Sequence, residues 1–315
     1  MNKFTDFKIG DEVDFYALLE SLQKRFTPNK SGYYGAVLCD GDTSVDARIW
    51  ECNLIESNNI KQGNVYLMHA RVNEYANKIQ YVITHIKPVE PGEIDITSFY
   101  RQAPMPKEEI NRGIKFYLKK IKNKIFYNLA VQLIANNAQK YFEYPAAVSM
   151  HHNYLYGLGY HTLTMLRLAE KLLELYPGMN SDLLYCGIII HDIGKTKELS
   201  NSTSPVYTEE GNLLGHIVIG LQMLAVEADK QGVSDTEEFK VLSHLVASHH
   251  GELDFGSPKE PGMMEAWALH LVDLTDSKMA AMTVEAVKTE KGQYSASIGS
   301  IGRKPIYKAD IKEEM

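Results

Sequence analysis

The sequence predicts a multidomain α and β chain, with a five-stranded β-barrel at the N-terminus followed by an all-α domain. Three observations lead there. Between residues 10 and 90, short apolar and alternating runs are separated by Gly- and Asp-bearing turns, which is the period of strands. Between residues 88 and 106 the chain is punctuated by Pro88, Pro91, Pro104 and Pro106. From Lys107 onward apolar residues recur three and four apart, the period of helices.

Taken in order, Glu12–Leu22 alternates loosely and Tyr33–Cys39 is compact and apolar. Val45–Trp50 alternates behind the turn Asp40-Gly41-Asp42, and a short helix is expected over Glu51–Asn58. Gly63 precedes Val65–Glu74, and Asn77 turns the chain into Ile79–Ile86. Five strands with a helix between the third and fourth is the order of an OB-fold barrel, so residues 1–90 are expected to be an OB-fold nucleic-acid-binding domain. The stretch Gly-Asp-…-Ala-Arg-Ile-Trp resembles the third strand of such modules. Tyr33, Tyr34, Trp50, Tyr75 and Tyr81 are candidate platforms for unpaired bases, and Arg48 and Arg71 candidate phosphate contacts. The competing assignment for each aromatic is barrel core, because strands favour such residues anyway.

Residues 91–106 read as a linker, and 107–144 as a basic helical connector. In the connector Ile114, Tyr117, Leu118, Ile121 and Ile125 form one face, while Lys115, Lys119 and Lys122 populate others. Those lysines are either a solvated helix face or a cationic stripe that guides RNA. Residues 107–124 carry seven Lys/Arg against two Asp/Glu, although the whole chain is at −7. A local stripe matters more to a phosphate backbone than the global sum. From 145 to 290 helices are expected over Tyr160–Tyr176, Asp182–Ile190, His216–Lys230, Thr236–Ser248 and Met263–Val287. Residues 291–315, with Gly292, Gly299, Gly302 and Pro305, read as an irregular tail.

Composition excludes several classes. The chain is 44% hydrophobic and 23% charged, as in ordinary globular proteins. No apolar run approaches the ~20 residues of a membrane span, and Met1–Asp6 is too polar for a signal peptide, so a cytoplasmic protein is expected. Cys39, Cys52 and Cys186 lack the paired spacing of a disulfide framework or zinc ribbon. No Walker loop or Rossmann glycine run appears.

The stretch Gly187-Ile188-Ile189-Ile190-His191-Asp192-Ile193-Gly194-Lys195 ends an apolar run in an imidazole and a carboxylate. Side by side, the two can ligate one divalent cation, and the carboxylate has a second oxygen for another. Nine of the eleven histidines fall after residue 150, and in order the chain presents His161, His191-Asp192, His216, His249-His250 and Asp273. That order resembles the HD phosphohydrolase superfamily in its two-metal form, over roughly residues 145–290. The resemblance implies one site of His161, His191, Asp192 and Asp273, and a second of Asp192 as bridge with His216, His249 and His250. Nitrogen and oxygen donors without thiolate suit Mn, Fe, Co, Ni or Zn. Two such ions roughly 3.5–4 Å apart clamp both oxygens of an in-line phosphoryl displacement, and Lys195 could neutralise a phosphate oxygen. His244 and His270 read as core, and His151-His152 either line the substrate channel or end a helix.

The whole arrangement resembles the YhaM family of bacterial 3′→5′ exoribonucleases. Its most telling residues are Met150-His151-His152, Gly159-Tyr160-His161, His191-Asp192-Ile193-Gly194-Lys195, His249-His250-Gly251-Glu252, Phe255-Gly256-Ser257-Pro258 and Leu269-His270-Leu271-Val272-Asp273. It implies a manganese-dependent enzyme that releases nucleoside 5′-monophosphates from single-stranded RNA, with single-stranded DNA as a further partner. Two other functions remain open: a small-molecule nucleotide phosphodiesterase with a regulatory OB domain, and a non-catalytic single-strand-binding protein.

Overall fold

The computed structural model describes residues 3–75, 78–148, 152–203 and 205–311. The chain forms two compact units, Met1–Arg101 and Gln102–Met315.

In the first unit, β1 (Glu12–Phe26), β2 (Gly32–Cys39), β3 (Ser44–Ile49), β4 (Val65–Tyr75) and β5 (Lys78–Pro88) close a barrel in the order β1-β2-β3-β5-β4. Helix α1 (Asn53–Glu56) lies between β3 and β4, which completes the OB topology. β1 outruns its expected end because one strand serves two partners. Glu12–Leu18 pairs with β4 and Leu18–Phe26 with β2, and a register shift between Leu19 and Ser21 marks the bulge near the exchange. A short parallel pairing of Ala47 with Tyr81 and Arg48 with Val82 joins β3 to β5.

Inward residues meet around Phe4, Phe15 and Tyr81, whose ring centroids lie 5.1 to 5.8 Å apart. Tyr81 is therefore core and no stacking platform: it is 1% exposed, and its hydroxyl donates to Phe4 O at 3.2 Å. Tyr34 is half-buried and donates its hydroxyl to Glu56 at 3.1 Å.

The second unit begins with α2 (Lys107–Leu118), α3 (Lys124–Asn136) and α4 (Ala138–Glu143). α5 (Gly157–Leu175), α6 (Ser181–Ile190), α7 (Lys195–Glu198), α8 (Glu209–Lys230), α9 (Glu237–Ser248) and α10 (Met264–Lys288) follow. Capping explains several starts. Asn123, Asn180, Thr208 and Thr236 each accept a backbone N–H from the first turn of the helix they precede.

The stretch expected as a separate connector is part of this unit. Ile110, Ile114, Tyr117, Leu118 and Ile121 are buried in one core with Leu163, Leu166, Ile189 and Leu245. An apolar helix stripe must be covered, and α5 and α6 help to cover this one. The tail is also more ordered than expected. β6 (Gln293–Tyr294) pairs with β7 (Tyr307–Lys308), and Lys308 Nζ donates to the carbonyls of Ala286 and Thr289 at the end of α10.

Among the described residues, α8 alone is long and apolar enough to cross a membrane by length and composition. Its Ile219, Met223, Leu224 and Ala228 are buried in the helical core.

Candidate active site

The apolar run before the His-Asp pair places that pair in the interior. Ile188, Ile189 and Ile190 are buried on α6, so the helix runs through the core and delivers His191 and Asp192 at its end, 0% and 3% exposed. The turn that follows must pack against α8. At Gly194 a Cβ would lie 2.0 Å from the carbonyl oxygen of His216 and 2.8 Å from Gly220 N, so only glycine allows this approach. Gly215, at φ +72°, kinks α8 just before His216. The His216 backbone N–H then donates to Glu198 Oε1 at 3.0 Å, which supplies the acceptor that the broken helix lacks.

The fold gathers all seven ligand-type residues named from the sequence. His161, His191 and Asp273 offer ligand atoms within 4.8 Å of one another, as do His216, His249 and His250, and as do His191, Asp192 and His249. Asp192 stands between the first two groups. Its Oδ2 lies 3.2 Å from His191 Nε2 and 3.9 Å from His161 Nε2. Its Oδ1 lies 3.5 Å from His216 Nε2 and 3.8 Å from His249 Nε2.

Each imidazole is oriented through its other nitrogen. His191 Nδ1 meets Ile188 O at 2.7 Å, His249 Nδ1 meets Val246 O at 2.8 Å, and His250 Nδ1 meets Phe255 O at 2.7 Å. A carbonyl only accepts, so these Nδ1 atoms carry the proton and Nε2 keeps its lone pair. Two carboxylates orient the other rings: Glu198 faces His216 Nδ1 at 3.2 Å, and Asp276 faces His161 Nδ1 at 2.7 Å. The Nε2 atoms of His191, His216 and His249, and Asp192 Oδ1, are buried without a hydrogen-bond partner. Buried polar atoms normally find one. Imidazoles backed by carbonyls and carboxylates, with lone pairs turned inward, have the make-up of a divalent-cation site.

Charge follows the same layout. Burial disfavours charge on His249 and His250, and their histidine neighbours add to this, so both lie below the ordinary imidazole value and stay neutral. Burial alone would raise Asp192. The Lys195 ammonium, 2.7 Å from its Oδ2, and the imidazoles of His191 and His216 outweigh that and hold it well below the usual carboxylate range.

His161 runs the other way: burial opposes its charge, but hydrogen bonds to Asp273 and Asp276 prevail and raise it to about 10. The folded value lies above the ordinary 6.5. This proton therefore stabilises the metal-free fold fully below pH 6.5, and its contribution is lost as pH rises through about 10. A cation that takes His161 Nε2 must displace a proton. Metal binding near pH 7.5 is expected to release about one proton per chain at this residue. Calorimetry in buffers of different ionisation enthalpy measures it, and a buffer-independent heat would refute it.

Two residues that hold the ligands escaped sequence reasoning. Glu198 is 7% exposed behind His216, and Asp276 is 8% exposed behind His161. Asp276 lies three residues after Asp273 on α10, one turn along the same face, and that spacing was the available signal. His152, a candidate to line the substrate channel for nucleic acid or to end a helix, is buried. Its Nε2 lies 2.7 Å from Asp276 Oδ2 and its Nδ1 meets the Tyr154 hydroxyl, so it stands behind His161 rather than in a channel. His151 lies outside the described residues.

Beside the cluster is a cleft lined by Asp192, Lys195, His250, Phe255, His270, Asp273, Leu274 and Ser277. His270 is buried, with Nδ1 3.0 Å from His249 O, and half-exposed His244 accepts from Gly262 N at 2.8 Å. Lys115, Lys119 and Lys122 are exposed on α2 and the turn after it, outside the residues that line the cleft. On the barrel, Tyr33 and Trp50 stand with ring centroids 4.9 Å apart, and the Arg48 guanidinium lies 5.4 Å from the Tyr33 ring. Trp50 is half-exposed. Arg71 is engaged by Glu12 across the β1–β4 ladder at 2.5 Å, and Tyr75 is exposed at the end of β4.

Comparison with known proteins bears on the same residues. The HD domain family model matches residues 158–280, a span that contains all seven ligand-type residues. The 3′-5′ exoribonuclease YhaM of Bacillus pumilus (strain SAFR-032) is 35% identical over 308 residues, covering 98% of each chain. The 3′-5′ exoribonuclease YhaM of Bacillus subtilis (strain 168) is 34% identical over 302 residues, covering 96% of each. A crystal structure of Rim1, a mitochondrial single-stranded DNA binding protein from S. cerevisiae, is matched by 27% of this chain over 100% of its own, at 13% identity and a TM-score of 0.23. Identity of this order over nearly the full length of the curated enzymes, with the ligand cluster inside the HD match, shows that the chain belongs to the YhaM family of 3′-5′ exoribonucleases.

Proposed function

We propose that this protein is a cytoplasmic, metal-dependent exoribonuclease. It trims single-stranded RNA from the 3′ end to nucleoside 5′-monophosphates, and accepts single-stranded DNA as a second substrate. The observation that carries this reading is Asp192, with one oxygen toward His161 and His191 and the other toward His216 and His249. His161, His191, Asp192 and Asp273 would hold one divalent cation, and Asp192, His216, His249 and His250 the other. Donors of nitrogen and oxygen without thiolate suit Mn2+ among several divalent transition ions, and Mn2+ is the ion proposed because the chain resembles a manganese-dependent family. When bound, the pair supplies Lewis-acid stabilisation to the attacking and leaving oxygens of an in-line displacement.

The chain's own residues do the rest. Asp276, Glu198 and the carbonyls of Ile188, Val246 and Phe255 fix the imidazoles, so little reorganisation is needed as charge develops. Lys195 lines the cleft with its ammonium on Asp192, where it can balance charge on a phosphate oxygen. The deciding experiment is 5′-labelled single-stranded RNA with Mn2+. Stepwise shortening that stalls at a blocked or base-paired 3′ end is expected. Intact RNA alongside hydrolysed small nucleotides would favour the small-molecule phosphodiesterase instead.

We infer that Tyr33, Arg48 and Trp50 form the base-stacking face of the barrel. Base–aromatic stacking contributes about 1–3 kcal/mol per base. Replacing Tyr33 and Trp50 with alanine is therefore expected to raise KM for long RNA about 5- to 150-fold while leaving a dinucleotide unaffected. Neutralising Lys115, Lys119 and Lys122 together should flatten the salt dependence of long-RNA binding by up to about 2 in log–log slope. Unchanged KM in the first variant and unchanged slope in the second would remove these residues from the RNA path.

A further inference from the structure

One wall of the cleft is not accounted for by phosphate chemistry. Phe255 bears the one phenyl ring among the residues that line it, beside Asp192, Lys195, His250 and Asp273. Phe255 is 56% exposed, although burying such a side chain would be favourable. The turn that presents it is well fixed. Phe255 O takes the Nδ1–H of His250 at 2.7 Å, and Gly256 N donates to Leu253 O at 2.9 Å. Gly256 adopts φ +87°, and Ser257 beyond it is 3% exposed. The aromatic residue is thus tied by its own carbonyl to a ligand-type histidine.

A substrate that brings a phosphodiester to that histidine brings a nucleobase one ribose away. Every base has a π-face, and stacking on an aromatic side chain tolerates any sequence. We propose that the cleft is a base subsite, in which Phe255 stacks on the base of the 3′-terminal nucleotide and the apolar side chain of Leu274 also contacts it. The proposal rests on the exoribonuclease reading. It assigns to Phe255 the seating of the terminal nucleotide, separate from the charges that act on the phosphate.

The test compares wild type, Phe255→Ala and Phe255→Trp on two single-stranded RNAs, one ending in a normal 3′ nucleotide and one in a 3′ abasic ribose. Stacking made alike in ground and transition states changes KM and spares kcat. Phe255→Ala is expected to raise KM for the normal RNA about 5- to 150-fold, with kcat kept and Phe255→Trp restoring KM. On the abasic RNA the wild type should already show the raised KM, and Phe255→Ala should add nothing. Mn2+ affinity by calorimetry should match in all three proteins, since residue 255 keeps its carbonyl. An active wild type whose KM is unmoved by Phe255→Ala overturns the proposal, as does an equal loss on both RNAs. A wild type that leaves both RNAs intact overturns the exoribonuclease reading and this subsite with it.

Discussion

Asp192→Asn is expected to lower RNA hydrolysis at least about a hundredfold, which corresponds to about 2.7 kcal/mol of lost transition-state stabilisation. The substitution keeps size and shape but removes the charge that both cation groups face. It also strands the Lys195 ammonium, whose side chain is 12% exposed and 2.7 Å from Asp192 Oδ2. The loss should therefore appear twice. Elemental analysis should find fewer than two Mn2+ per chain, and excess Mn2+ should not restore turnover. The buried apolar core of α5, α6 and α9 is untouched, so circular dichroism should remain that of a folded protein. Near-wild-type turnover in Asp192→Asn would exclude the bridging role.

Asp276→Asn should produce a different signature. Asp276 touches no cation in this scheme; its Oδ2 receives His161 Nδ1 and His152 Nε2, both at 2.7 Å. Replacing the carboxylate with a neutral amide weakens the hold on the His161 ring and lowers the basicity of its Nε2. Partners of this kind are worth about 10- to 100-fold in metal affinity, or about 1.4–2.7 kcal/mol. The Mn2+ concentration for half-maximal activity should rise by that factor, while turnover at saturating Mn2+ returns close to wild type. Recovery by excess metal separates this positioning residue from Asp192. An unchanged Mn2+ requirement would remove Asp276 from the centre.

Sequence and tertiary structure determine different features of this protein. Alternation and turn residues were enough for the five strands and the intervening helix, because side-chain period and turn geometry are local properties. They did not show that β1 runs on to Phe26, since its second half is held by β2 rather than by its own pattern. The apolar stripe of 107–118 was legible as helix, although the face expected to continue to Ile125 is broken by a turn at 119–123 before α3. That it is buried with α5 and α6 was not, because periodicity says that a face must be covered and not by what.

The same division holds at the cluster. His161, His191, Asp192, His216, His249, His250 and Asp273 could be named because their order resembles that of the two-metal HD phosphohydrolases. His191, His249 and His250 are turned by carbonyls three or five residues away, whereas His161 and His216 are turned by distant residues: Asp276 lies 115 positions from His161 and 124 from His152, and Glu198 lies 18 from His216. Pairs so far apart in the chain leave no spacing that joins them, so His152 was open between lining the channel and ending a helix, and Asp276 was not singled out. The sequence by itself determined which donor atoms this protein has. Only the packing of α5, α7, α8 and α10 decided which nitrogen of His161 and of His216 faces the centre and which two groups share Asp192, because both depend on atoms that only folding brings within 4 Å.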